Sequence, residues 1–598
     1  MKLLSVLALL AAPALAQEVT LALPPGTPEE LRTVLESASL ALSLEGEGLT
    51  AAQDYVAAAR ADYRRLLTGL YAEGYYGGAI SITVDGREAE AIAPLDAPAT
   101  VSRVVLSVSP GPRFTFGNVA LGPTAPGTVL PPAFAPGEVA RSETVREAVR
   151  VAIADWRAQG NAVAAVASQD IAAVHPETRL DVAVAIDPGP RLGFGPVTVT
   201  GNEDVRTARI LAIAGIPSGE VFSPATLERA VARLRRTGAF DAVAAVEGEP
   251  AGGTLPIGLL VTESLPRRIG FAAEVSSQDG LSAQAFWLHR NLLGGAERLR
   301  VEAEASNIEG AALDSAGGGA DTALRLSFGR PATLGPDTDL TVDAEVARED
   351  AEDFLLDQAT LELGFTRFAT DDLTLSAALG VVVAEEVNEV TGRSDFTLVT
   401  LPLSAEWDRR DDPRDATAGF YIDAEATPFL AAGGDAASGG RLYADARLYR
   451  TLGARVTLAA RGQAGTLLGA DFRDVPASFG FLAGGGGSVR GRSFQSIGVA
   501  VTGEGGEEAT LAGTSLAGVQ IEARVGIAGN FGAVAFYDAA AVGEGLLPES
   551  GDEFGAGAGI GVRYDTAVGP IRLDLAAPAS GPDAFGGVQL YIGIGQSF

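Results

Sequence analysis

The chain has 598 residues, a formal net charge of −32, no cysteine and two histidines. The missing cysteine excludes disulfides, thiol nucleophiles and thiolate metal sites, and His175 and His289 lie too far apart in sequence to suggest a metal centre or a triad. So acidic a chain also argues against nucleic acid, whose phosphates need a basic field.

Lys2, an apolar run over residues 3–10 and Ala14-Leu15-Ala16 before Gln17 have the three-part layout of a secretory signal peptide, residues 1–16. Beyond Lys2 every basic residue is arginine. No later apolar run reaches the ~18 residues that a membrane-spanning helix needs. An exported, cysteine-free chain with 75 glycines and much alternating hydrophobicity points to an outer-membrane β-barrel, with a large secreted β-solenoid or adhesin as the competing reading.

The first half carries an internal period. Pro110-Gly111-Pro112-Arg113-Phe114-Thr115-Phe116-Gly117 reappears 78 residues later as Pro188-Gly189-Pro190-Arg191-Leu192-Gly193-Phe194-Gly195, and a further 78 reaches Pro266. Gly160 and Gly238 stand at the same spacing, so residues 17–112, 113–190 and 191–266 read as three small repeated domains. The third is clearest. Val197-Thr198-Val199-Thr200 alternates as a strand and turns at Gly201-Asn202, and a short helix follows over 205–214. Ser223-Pro224 opens a second helix with Leu227, Ala230, Val231 and Leu234 on one face, ended by Thr237-Gly238. Strands over 240–246 and 255–262 complete a β-α-α-β-β order, which is expected in all three copies. The second copy places its long helix at 143–159, and the first at 51–72. Tyr75 and Tyr76, at a helix-to-strand junction, read as core aromatics and not as a ligand platform. Each such domain leaves a sheet edge open, where an extended peptide can add by β-augmentation.

From residue 267 to 598 period 2 takes over. Leu299, Val301, Ala303 and Ala305 alternate with Arg298, Arg300, Glu302 and Glu304, and Val519, Ile521, Ala523 and Val525 alternate with Gln520, Glu522 and Arg524. A soluble sandwich shares this pattern, but the apolar faces are uniformly modest in size and the chain closes on an alternating strand ending in Phe598. At about 20 residues per strand and connection, the span allows about 16 antiparallel strands, closed because lipid tolerates no open edge.

Gly484-Gly485-Gly486-Gly487-Ser488-Val489-Arg490-Gly491 resembles the loop signature of POTRA–barrel outer-membrane assembly factors. In those proteins a Val-Arg-Gly-aromatic tip folds back into the lumen and its Arg is held by acidic residues of the wall. Here Arg492 stands at the aromatic position, with Phe494 as its replacement two residues on. Val534-Ala535-Phe536-Tyr537-Asp538-Ala539 and Gly518-Val519-Gln520-Ile521-Glu522 resemble the strands that present the wall carboxylates, which makes Asp538 and Glu522 the partners of Arg490. Trp407-Asp408-Arg409-Arg410-Asp411-Asp412-Pro413 and Gly561-Val562-Arg563-Tyr564-Asp565 also match family segments, and the first of these carboxylate pairs reads as loop charge, not catalysis. Three repeats before a short barrel are most similar to the TamA family, the outer-membrane subunits of translocation and assembly modules.

That resemblance implies POTRA domains in the periplasm, a barrel in the bacterial outer membrane, and a factor that assembles unfolded outer-membrane clients, autotransporter-type ones among them. It implies no enzyme activity, cofactor or metal, and an inner-membrane-anchored periplasmic partner resembling TamB. Client strands would enter at the seam between residues 268–275 and 588–598, marked by Phe271, Gly593 and Gly595, with Phe598 as the C-terminal barrel signal. The alternative is passage of polypeptide or lipid through the lumen, as in two-partner secretion.

Overall fold

The computed structural model describes residues 18–598 apart from 47–50, 94–95, 277–279, 309–318, 352, 389, 504–505, 507, 567–568, 583 and 597, so the segment read as a signal peptide lies outside it. The chain divides into two compact units, 1–196 with 217–227 and 247–256, and 197–216 with 228–246 and 257–598.

In the first unit, Glu18–Ala22, Arg103–Ser109, Ala79–Val84 and Arg87–Glu88 form one sheet in that order, backed by the helices Glu29–Ala38, Leu40–Gly46 and Ala52–Ala72. A second sheet runs Thr115–Gly122, Arg179–Asp187, Ala165–Val174 under the helix Ser142–Ala158. In both, the first strand lies parallel beside the last, and the middle strand is antiparallel to it. A third sheet has the same first-last-middle order, Gly193–Thr200, Thr254–Glu263, Phe240–Glu247.

The expected β-α-α-β-β order holds as written only in the third copy, whose helices are Thr207–Ala214 and Pro224–Arg236. Among the described residues the first copy has three α-helices, and the second has one. Between Gly122 and Ser142 the second copy carries Pro123, Pro126, Pro131, Pro132 and Pro136, each lacking the N–H that a helix interior needs, so the short helix does not form. Tyr75 is buried in the first core, and Tyr76 packs partly buried against the second.

In the second unit, strands from Arg267–Ser276 to Gln589–Ile594 close into a barrel of antiparallel neighbours. It counts seventeen segments, but Gly392–Thr400 and Leu403–Asp408 pair with the same two neighbours, Leu373–Asn388 and Gly419–Gly434. They are halves of one strand, interrupted where Pro402 has no N–H to give the ladder, so sixteen positions ring the barrel. Val519, Ile521 and Val525 face outward, while Gln520, Glu522 and Arg524 are buried inside. This is the arrangement that lipid outside and a polar lumen inside select.

Two segments occupy that lumen. The connection 469–514, between Val456–Leu468 and Ser515–Ala528, folds back so that its Phe481, Ala483, Val489 and Ile497 pack on wall residues Leu516, Ala540 and Val542. The chain end is the other. The last strand stops at Ile594, because Gly595 takes a φ of +99°, a left-handed conformation that only glycine adopts freely. The expected alternation to Phe598 therefore breaks. Gln596 donates to Asp415 at 2.8 Å, and Phe598 is buried with Ala416, Tyr449 and Ala459.

Candidate functional site: the lumen loop and the barrel seam

Arg490 is 0% exposed and is the largest fully buried side chain among the described residues. Its Nε donates to Asp538 Oδ2 at 2.7 Å and its Nη2 to Asp538 Oδ1 at 2.9 Å, a bidentate fork. Nη1 donates to Glu522 Oε1 at 2.7 Å and to Asp574 Oδ2 at 3.2 Å. Two further arginines balance the carboxylates. Arg524 Nε donates to Glu522 Oε2 at 2.9 Å, and Arg563 pairs with Asp574. Three cations and three anions thus share one buried pocket. Removing one partner there leaves an uncompensated charge, a loss of roughly 3–5 kcal/mol.

Strand parity puts these groups together. Glu522, Asp538 and Asp574 sit on Ser515–Ala528, Phe531–Gly543 and Ile571–Pro578, each at a lumen-facing position and each fully buried. Between the last two strands lies Glu553–Tyr564, whose alternate residues Gly557, Gly559 and Gly561 share that face. A Cβ at these positions would strike the Arg490 carbonyl, the Phe536 ring and Asp574 respectively. Gly557 clears the space in which the loop tip sits, and Gly559 and Gly561 clear that of the wall side chains around it. Gly491 is demanded twice over, by a φ of +91° and because a Cβ would come within 2.7 Å of the Ala577 backbone.

The structure brings Val489, Arg490 and Gly491 together with Glu522 and Asp538, with Val489 buried against the wall. Phe494 does not join them. It is 50% exposed and lies against the backbone of Gly485, so it does not replace the aromatic at position 492. Arg492 instead reaches the connection after Ile571–Pro578, donating to Ser580 O at 3.2 Å and Ser580 Oγ at 3.0 Å. Asp574, Phe536, Arg524 and Arg563 were not singled out as partners from sequence. The alternating Gly557-x-Gly559-x-Gly561 beside charge-bearing strands was the available signal.

The loop is also fixed across the lumen. Gln495 Nε2 donates to Glu349 Oε1 at 2.6 Å, Ser478 Oγ to Gln358 Oε1 at 2.6 Å, and the Ala477 N–H to Glu386 Oε2 at 2.9 Å. These acceptors stand on Thr338–Asp350, Phe354–Phe368 and Leu373–Asn388, far round the barrel from Asp538.

The seam is thin. Among the described residues, Arg267–Ser276 and Gln589–Ile594 share one pair of partners, Ser276 opposite Tyr591, whereas the same two strands have ten and six pairs with their other neighbours. Phe271, 82% exposed, lies opposite Ala285 of the second strand and five residues from that seam pair. Continued from Ser276–Tyr591, the register carries Phe271 past the end of the last strand, so it does not face Ile592. Gly593 sits in the last strand opposite Arg572, and Gly595 lies beyond it at the turn that sends the chain inward.

The family model described as the Omp85 superfamily domain matches residues 291–598. The chain belongs to the Omp85 superfamily. A second match, POTRA, described as the surface antigen variable number repeat, covers residues 193–264. This Omp85 chain thus places a POTRA region before an all-β barrel. Among solved structures it is similar to BamA from Haemophilus ducreyi lacking POTRA domains 1-3, with 17% identity and a TM-score of 0.61 over 81% of this chain and 98% of that one. It is also similar to CdiB from Acinetobacter baumannii, with 12% identity and a TM-score of 0.50 over 81% of this chain and 90% of that one. At such identities the likeness concerns the fold.

Proposed function

We propose that this Omp85 protein assembles other outer-membrane proteins by letting client strands exchange at its own barrel seam. The observation that carries the reading is the seam, where among the described residues one partner pair joins Arg267–Ser276 to Gln589–Ile594. Unpaired backbone groups cost several kcal/mol each in lipid, so an edge of this kind is where an incoming hairpin gains most by pairing. The inward turn at Gly595 shortens the last strand and leaves the 267–275 edge with no pair to it among the described residues.

In this reading the barrel spans the bacterial outer membrane after export, and residues 17–112, 113–190 and 191–266 form a periplasmic arm of POTRA domains. Three repeats before the barrel favour a TamA-type role, with autotransporter-type clients and a periplasmic partner resembling TamB anchored in the inner membrane. The protein works without enzyme chemistry or cofactor. Passage through the lumen is the less favoured route, since residues 469–514 are bonded to both sides of it.

The test is a reversible lock. The register of Ser276 with Tyr591 carries over to Val275 opposite Ile592, so Val275→Cys with Ile592→Cys spans the seam in a chain with no native cysteine. Oxidation is expected to stop client assembly and reduction to restore it. Undiminished assembly with the disulfide closed overturns the seam reading and transfers the function to the lumen.

A further inference from the structure

One side chain joins the loop tip to the seam. Tyr591 supplies the backbone that pairs with Ser276, and its ring is buried inward with Val534, Phe536 and Ala576. Its hydroxyl accepts from the Gly491 N–H at 3.1 Å and donates to Gln589 Oε1 at 2.6 Å. Gly486 lies so close over the ring that a Cβ there would come within 3.3 Å of it. One residue beyond Gly491, Arg492 bonds both the carbonyl and the hydroxyl of Ser580, in the connection that feeds the last strand. Arg490 bonds Asp574 on the strand beside it. Three consecutive loop residues therefore grip the strand before the last, the last strand and the turn between them.

We propose that Tyr591 and Arg492 are positioning residues that latch the last strand from inside the lumen, so that the seam opens when the loop tip lets go. The last strand has six pairs with its outer neighbour, and its inner face is touched by the loop tip. Tyr591 makes that contact on the strand itself, and Arg492 holds the connection that leads into it. The Ser580 bonds act in the connection that leads into Gln589–Ile594. The latch thus makes the lumen loop a regulator of the lateral opening, and it rests on the seam reading above only for its purpose, not for its mechanics.

The experiment measures the seam without any client. Nitroxide labels on Val275→Cys and Ile592→Cys of the full-length chain in lipid bilayers report the separation across the seam by pulsed electron resonance. Loss of the neutral hydrogen bond to the loop in Tyr591→Phe, whose second bond stays within the last strand, is expected to raise the open-to-closed ratio about fivefold, and loss of charged bonds in Arg492→Ala about tenfold or more. Arg492→Lys, which retains one charged donor, should recover part of the closed population. Gln495→Ala loosens the same loop at the opposite wall and should leave the distance distribution unchanged. An unchanged distribution in both Tyr591→Phe and Arg492→Ala overturns the latch. Equal opening by Gln495→Ala also overturns it, since general loosening of the loop would then suffice. A seam that opens in these variants while the locked disulfide leaves client assembly intact keeps the latch and rejects the assembly reading.

Discussion

The guanidinium of Arg490 stands 3.5 Å from the centroid of the Phe536 ring, while its nitrogens reach Glu522, Asp538 and Asp574. An aromatic face and three carboxylates together serve all three nitrogens of this fully buried cation. Arg490→Ala should then destabilise the seated loop by roughly 3–5 kcal/mol. The expected readout is loss of the compact, heat-resistant band on a gel run without boiling, with new protease cleavage inside 469–514. Arg490→Lys should fall between, because a compact ammonium keeps the charge but loses the planar bidentate fork to Asp538. Parent-like mobility and protease resistance in Arg490→Ala would end the tether role.

Gly557→Ala should reproduce much of that phenotype without touching a charge, since the added methyl meets the Arg490 carbonyl oxygen. Gly462→Ala, in a barrel strand with nothing within 4 Å of the new Cβ, should be silent. Protease accessibility of the loop compares the two, and equal accessibility would show that the glycine stripe is not what seats the tip.

Arg233, on the helix Pro224–Arg236, forms a clasp within the second unit. Its Nε donates to Asp337 Oδ1 at 2.7 Å and its Nη1 to Ala214 O at 3.0 Å, while Arg236 stacks 3.5 Å from the centroid of Phe368. The hydrogen bond from Arg233 holds the Asp337 carboxyl below its ordinary value, against a smaller opposing effect of burial. A depressed carboxylate contributes stability that is present above its unfolded pKa, about 3.9, and disappears as pH falls through the folded value. Hydrogen exchange at residues 228–236 should therefore be protected alike from pH 5 to 8, corrected for intrinsic rates, and lose protection in acid. Asp337→Asn should weaken protection across that range by roughly 1.5–3 kcal/mol at most, less solvent screening.

Phe598 has two separable roles to test. Removing it should lower the amount of protein reaching the outer membrane, if a terminal aromatic is read before folding. Its folded position against Tyr449, with ring centroids 6.5 Å apart, is a packing role. Tyr449→Ala should match the deletion in heat stability but leave membrane levels near those of the parent. Matching losses of membrane level in both variants would reduce Phe598 to a filler of the lumen.

Alternation made the barrel legible, because lipid outside and a polar lumen inside sort residues at period 2 with few exceptions. The repeats were legible through Pro110-Gly111-Pro112 and Pro188-Gly189-Pro190. The helix missing from the second copy was readable in its prolines, but the analogy with the third copy outweighed them. Asp574 was not legible as a partner: it is one acidic residue among many on lumen faces, and only the fold of a distant loop selects it. The end of the last strand misled for a similar reason. Gln596 and Phe598 keep the right spacing, but the backbone handedness at Gly595 turns them to the other side.

That turn has a bearing on the order of events in the life of the protein. Once Gly595 bends, the terminal phenylalanine is 8% exposed and the Arg524 guanidinium lies 5.5 Å from the centre of its ring. Any factor that bound the Phe598 ring would have to do so before the barrel closes over it, since the folded chain buries that ring. A ring withdrawn in this way is open to a binding factor only during folding, so any such recognition would end of its own accord.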